Sequence, residues 1–215
     1  DNQLLRKNIE IIESDRREIA YELHNEIGQH LTAIRTAAHL MHRQSEGRQT
    51  FPIAENIITL ADQLHVMIEQ LLHRLHPSVL EKFGLKHSLE DLISFVKQNM
   101  QLECRLEVEG ELSAVEKDLE LAVYRIIQES LTNAVRHGRA TEAQVHLVLN
   151  KEVLHLTVFN NGSPLSGNMD ELIREKESGI GVLGIKQRVT AWHGDVMLRN
   201  IEEGVELTCS IPLVK

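Results

Sequence analysis

Ile19-Ala20-Tyr21-Glu22-Leu23-His24-Asn25-Glu26-Ile27-Gly28-Gln29-His30-Leu31 sets Ile19, Leu23, Ile27 and Leu31 four residues apart. That spacing lines apolar side chains along one edge of an α-helix. Upstream, Leu5, Ile9 and Ile12 continue the row by threes and fours, with Arg16 filling one gap; downstream, Ile34, Ala38 and Met41 extend it, close to a heptad seam. Three consecutive fours form a stutter, which locally unwinds a supercoil. The pattern predicts a helix from residue 4 to about 44, ~60 Å long at ~1.5 Å per residue. Such a helix cannot bury its seam against itself and needs partners.

Gln44 to Gln49 is polar and contains Gly47, so it reads as a loop. Thr50 can cap a second helix, with Pro52 tolerated in its first turn. Ile53, Ile57, Leu60, Leu64, Met67, Leu71 and Leu75 repeat the spacing until Pro77 ends it. Two long antiparallel helices joined by a short loop make a hairpin. A hairpin with an apolar seam is half of a four-helix bundle, which a homodimer completes.

After Pro77 the pattern changes. A shorter helix is expected from Ser88 to about Met100, a strand over Cys104–Val108, and a long helix over Leu119–His137. Strands follow at Gln144–Leu149 and Val153–Asn160, joined by an Asn150-Lys151-Glu152 turn. A helix over Ile185–His193 and strands Val196–Arg199 and Val205–Ile211 complete the chain. The fold class is therefore α+β, with a dimerising helical hairpin over residues 1–83 and an α/β sandwich over residues 84–215.

Composition narrows the function. The 215 residues carry 23 basic against 32 acidic side chains, a net charge of −9, so the phosphate-neutralising surface of a direct nucleic-acid binder is missing. Aromatics at 3% favour helix bundles over a β-sandwich core. No run of ~18 apolar residues is present. Cys104 and Cys209 stand alone, which fits a reducing compartment and makes no metal site. The chain opens at Asp1 inside a helical pattern, and the expectation is a piece of a longer protein.

Four local patterns carry chemistry. His24 lies one residue past the seam position Leu23, at the seam's edge, where an imidazole nitrogen can act as a nucleophile. One histidine among 12 is more often merely solvated. Glu129, Asn133 and His137 recur every four residues on one helical face. Asn supplies an oxygen ligand suited to Mg²⁺, a carboxylate orients a nucleophile, and basic groups meet phosphates. Gly179-Ile180-Gly181-Val182-Leu183-Gly184 allows close backbone approach ahead of a helix. Val158-Phe159-Asn160-Asn161-Gly162 is a strand ending in a polar turn.

Taken in order, these patterns resemble the cytoplasmic core of a bacterial two-component sensor histidine kinase of the NarX/UhpB/DesK type. Glu22-Leu23-His24 with Gly28-Gln29 resembles that family's phosphoacceptor box. Leu75-His76-Pro77-Ser78-Val79-Leu80, followed by Phe83-Gly84-Leu85, resembles its interdomain link. Glu129, Asn133 and His137 fall on the N box, and Gly179 to Arg188 on the second glycine box. The resemblance implies a sandwich of the gyrase/chaperone/histidine kinase/MutL ATPase type. It implies that ATP with Mg²⁺ phosphorylates His24, and that the receiver domain of a response regulator takes the phosphoryl group onto an aspartate. A linked phosphatase activity is also implied.

By the same resemblance, Asn25 and Gln29 flank the chemistry at His24. Glu129 and Asn133 serve water and metal, with Asn133 the metal residue, and Arg136 and His137 face phosphates. Asn160 and Gly162 read the adenine, while Gly179, Gly181 and Gly184 shape the lid. The fragment is expected to be cytoplasmic, and the family admits a membrane anchor in the full protein. Two positions depart from the pattern. Asn25 stands where the family usually has an acid, and Asn160-Asn161-Gly162-Ser163-Pro164 replaces Asp-x-Gly-x-Gly. These departures motivate an alternative: a degenerate kinase acting mainly as phosphatase or nucleotide-sensing dimerisation module. A topoisomerase-like ATPase fragment would not carry the His24 hairpin.

Overall fold

The computed structural model describes residues 2–44, 51–75, 78–112, 115–150, 152–174 and 179–213. The expected cap Thr50, the helix breaker Pro77 and the turn residue Lys151 lie outside them. Packing divides the chain into two units, Glu10–Ser78 and a second formed by Asp1–Ile9 with Val79–Lys215.

The helical unit consists of α1 (Asn2–Gln44), which begins before the unit's first residue, and α2 (Phe51–Leu75). Small residues let the two helices approach: Ala20, Ala38, Ala54 and Ala61 are buried, with Leu31 among them. Arg35 faces Asp62 at 3.5 Å and His42 faces Glu55 at 3.7 Å across the pair. Most of the apolar seam stays outside this contact. Ile12, Ile19, Ile27, Ile34, Met41, Leu60, Leu64, Met67 and Leu71 are all exposed.

The sheet unit contains α3 (Ser78–Met100), β1 (Glu103–Glu109), α4 (Lys117–Arg136), β2 (Glu142–Leu149), β3 (Val153–Asn160), α5 (Met169–Arg174), α6 (Gly179–Ala191), β4 (Asp195–Ile201) and β5 (Gly204–Pro212). The sheet order is β1-β2-β3-β5-β4. β1 runs parallel to β2, and every other pair is antiparallel. Alternation puts Val145, Leu147, Leu154, Leu156, Val158, Leu207, Cys209 and Ile211 on the covered face. Ala122, Val123, Ile126, Ile127 and Leu131 of α4 complete that core. The 2–3 turn is tied by Asn150, whose Oδ1 accepts from Glu152 N at 2.9 Å and Val153 N at 2.8 Å. Residues 2–9 pack within this unit: Arg6 Nε donates to the Ala191 carbonyl at 2.7 Å, and its guanidinium lies 4.1 Å from the Trp192 ring centre. A cation and a donor at a helix C-terminus meet the carbonyls the helix leaves unpaired.

Two expectations need correction. The last helix begins at Gly179 rather than Ile185, so the glycine-rich stretch is helical instead of a loop before a helix. Glycine's low helix propensity is overridden there by packing against α4. The third helix starts at Ser78 and is interrupted at Gly84, with φ 77° and ψ −179°. The short α5 had no expectation, since six residues carry too little periodicity. Among the described residues no helix is long and apolar enough to cross a membrane.

Candidate functional site

The sheet unit holds a cavity of about 280 Å³ between α4, α6 and the ends of β3 and β5. Its walls are largely apolar, with Val158, Leu172, Val182, Ile185, Leu198 and Leu207, and Asn133, His137 and Asn160 join three serines as its polar lining. Such a pocket suits a flat ligand that buries its faces and is oriented by a few polar contacts.

α4 brings the first two polar groups. Its apolar stripe fixes its rotation on the sheet, so the opposite edge carries Glu129, Asn133 and His137 toward the cavity side. His137 is the C-cap, with its N–H on Asn133 O at 2.9 Å. Gly181 of α6 lies against this row: a Cβ there would overlap the Glu129 carboxylate and stand 3.2 Å from Asn133 Nδ2. Only glycine lets α6 come this close. The Glu129 carboxylate and the Asn133 amide thus sit together against Gly181. A carboxylate and an amide oxygen are hard ligands of the type Mg²⁺ takes, usually completed by phosphate and water.

Asn160 is 8% exposed at the end of β3. Its Oδ1 accepts from Gly162 N at 3.0 Å, and its Nδ2 points to the Val205 carbonyl at 3.5 Å. The turn after it is pinned to the α4–β2 connection. Ser163 N donates to Gly138 O at 2.7 Å, and a Cβ at Gly162 would meet the Gly138 backbone at 3.0 Å. Asn161 braces the same turn, its Oδ1 accepting from Thr141 N at 2.9 Å and Glu142 N at 3.0 Å. Sequence reasoning passed over Asn161 and Gly138. The glycine directly after the helix end was the available signal.

The structure therefore gathers Asn133, His137 and Asn160 around one cavity, with Glu129 and Gly181 beside it. Gly162 supports it from behind. Gly184 lies one turn along α6, its carbonyl accepting from Arg188 Nη1 at 3.1 Å. Arg136 is exposed and is not among the lining residues. Lys186 ties α6 to α5 through Asp170 at 2.6 Å, and that ammonium holds the exposed Asp170 carboxyl below its ordinary value. His24, Asn25 and Gln29 belong to the helical unit. On α1, His24 and Gln29 are exposed and Asn25 is half-buried.

The family model described as "Histidine kinase-, DNA gyrase B-, and HSP90-like ATPase" matches residues 118–215, and the one described as "Histidine kinase" matches residues 15–80. The Rhizobium johnstonii sensor histidine kinase MctS is 26% identical over 215 residues, covering 97% of this chain and 45% of its own length. LiaS, a sensor histidine kinase of Bacillus subtilis, is 27% identical over 206 residues, covering 94% of this chain and 55% of its own. The Salmonella typhimurium kinase/phosphatase UhpB is 28% identical over 218 residues, covering 99% of this chain and 41% of its own. The chain thus spans about half the length of the curated relatives it matches. Among solved structures, the histidine kinase domain of the Erythrobacter litoralis EL346 blue-light kinase superposes with a TM-score of 0.51 at 16% identity, covering 86% of this chain and 94% of that one. That likeness bears on fold alone.

Proposed function

Because this chain belongs to the two-component sensor histidine kinases through both of its domains, we propose that it phosphorylates itself on His24 and passes the phosphoryl group to an aspartate of a response regulator. The observation that carries the reading is the convergence of Glu129 and Asn133 on Gly181 beside the cavity lined by Asn160, in a chain whose α1 offers an exposed His24. The domain limits we infer are 1–83 and 84–215; packing puts the division a few residues earlier, between Ser78 and Val79, and groups the first nine residues with the sheet unit.

A neutral His24 nitrogen attacks the γ-phosphorus, the bond to the bridging oxygen breaks, and ADP leaves with its electron pair. The phosphorylated ring, now cationic, then loses the N–H proton of its other nitrogen to solvent. Phosphoryl transfer asks mainly for positioning and charge neutralisation. The cavity's apolar walls hold the base, Asn160 reads its amino edge, and His137 faces the phosphates. Asn133 would hold Mg²⁺, which supplies charge neutralisation at the β- and γ-phosphates. Glu129 orients the nucleophile or water. Gln29, one turn beyond Asn25, positions water at the regulator's phosphoaspartate for the phosphatase step. The exposed seam of α1 and α2 supports a homodimeric four-helix bundle. The degenerate-kinase alternative is not favoured, since relatives matching nearly the whole chain carry kinase or kinase/phosphatase names.

Incubation with γ-labelled ATP and Mg²⁺ tests the reading. Acid-labile, base-stable label on the parent, absent in His24→Gln and in a folded Asn133→Ala, is the expected result. Label that persists in His24→Gln would move the acceptor elsewhere, and an unlabelled parent would refute the kinase reading.

A further inference from the structure

Gly84 adopts a backbone conformation that is essentially restricted to glycine. Immediately before it Glu81, Lys82 and Phe83 are exposed, Phe83 by 64%; immediately after it Leu85, Ser88, Leu89 and Leu92 are buried. From Phe83 to Leu85 the chain passes from exposed to buried within two residues, and Leu80, before the break, is buried in the same core. A fresh helical segment starts at Leu85, and its first N–H groups have no acceptor within the helix.

The Glu120 carboxylate, one turn into α4, stands beside the break, and the Leu85 N–H favours its charged form. A Cβ at Gly84 would lie 3.9 Å from Glu120 Oε1. From the other side, Ser88 Oγ donates to the Gly84 carbonyl at 2.9 Å. A carboxylate at a helix N-terminus also faces the positive end of the helix dipole. Burial pushes the Glu120 carboxyl up from its ordinary value, while the Leu85 N–H and Lys117 pull it back.

The same helix carries the nucleotide-site groups. Glu129 and Asn133 lie ~13 and ~20 Å further along α4, at ~1.5 Å per residue. Buried Val123, Ile126, Ile127 and Leu131 lock the stretch between them onto the core. One helix therefore holds the Gly84 break at one end and Glu129 and Asn133 further along.

We propose that Glu120 is a positioning residue for phosphoryl transfer: by capping Leu85 at the Gly84 break, it sets the direction in which residues 78–84 leave the helix that carries Glu129 and Asn133. The proposal rests on the kinase reading, in which ATP must be presented to a histidine joined to the sheet unit through that segment.

The test compares the full chain with Glu120→Ala and Glu120→Gln by hydrogen exchange at the Leu85 amide, single-turnover labelling at saturating Mg-ATP, and calorimetric Mg-ATP affinity. In Glu120→Ala, Leu85 should exchange about fivefold faster, the size of a lost helix cap. Labelling should slow by roughly tenfold through lost orientation, with Mg-ATP affinity held within about twofold. Glu120→Gln keeps an oxygen acceptor for the same N–H and should restore both rates to within about twofold. Unchanged exchange at Leu85, parent-like labelling in the alanine variant, weakened Mg-ATP binding that accounts for the loss, or failure of glutamine to rescue would each overturn the proposal. A parent that takes no label removes the kinase reading and this role with it. A parent that labels beside an equally fast alanine variant removes only this role.

Discussion

One added methyl at Gly181 separates the stability of the sheet unit from its chemistry. In Gly181→Ala the new Cβ would overlap Glu129 Oε1, stand 3.0 Å from Glu129 Cδ and 3.2 Å from Asn133 Nδ2. The backbone there is helical, so alanine gains about 0.5–1 kcal/mol of helix stability over glycine. The nearest obstacle is the end of a flexible side chain, and turning Glu129 away costs about 0.5–1.5 kcal/mol. These terms nearly cancel, so the melting temperature should stay within about 4 °C of the parent. Catalysis does not share the cancellation. A misplacement of about 1 Å in a catalytic group costs roughly 10²-fold in rate, or about 2.7 kcal/mol of barrier. The assay is single-turnover labelling at saturating Mg-ATP, run beside a thermal melt. In a Glu129→Ala background the overlap is gone, and adding Gly181→Ala should cost almost nothing more. Parent-like labelling by Gly181→Ala would refute the argument, because the close approach of α6 to Glu129 would then be irrelevant to the reaction.

Three further outcomes are expected. Leu64, exposed by 48% on the open seam, should be buried in the dimer; Leu64→Asp should weaken dimerisation by at least ~100-fold, since each copy forfeits ~1.5–3 kcal/mol, as read by sedimentation equilibrium. Asn25 cannot accept a proton at neutral pH, so Asn25→Asp should speed labelling of His24, within the ~10²–10⁴-fold range of general-base help, while Gln29→Ala should spare labelling and slow dephosphorylation of the regulator. Burial pushes the Cys104 and Cys209 thiols from 9.0 up to about 12, which keeps both protonated at pH 8; alkylation of the folded protein should be slow at both, slowest at the buried Cys209, and rapid modification of Cys209 would contradict its burial.

The helical period of α1 and α2 was legible because it is a local property: each turn repeats the choice made ~3.6 residues earlier. The alternation of β2, β3 and β5 was legible for the same reason. The ordered motifs around His24, Asn133 and Gly181 pointed to the family through residue types at short spacings. Helix starts were harder to read. Gly179 to Gly184 looks like a loop in isolation, because the contacts that make it helical come from α4.

What the sequence by itself determined is therefore most of the elements, α5 and the start of α6 excepted, the unpartnered seam and the identity of the candidate groups. Only the tertiary structure decided that β1 runs parallel to β2 at the sheet edge, that Asn133 and Asn160 face one cavity, and that Gly181 must be bare because Glu129 lies against it. It also decided that Glu120, an ordinary charge in a helix's first turn, meets the Leu85 amide 35 positions earlier in the chain. Periodicity is written within a turn or a strand. Convergence depends on how buried faces stack, and that free energy is a sum over residues far apart in sequence, which no local window contains.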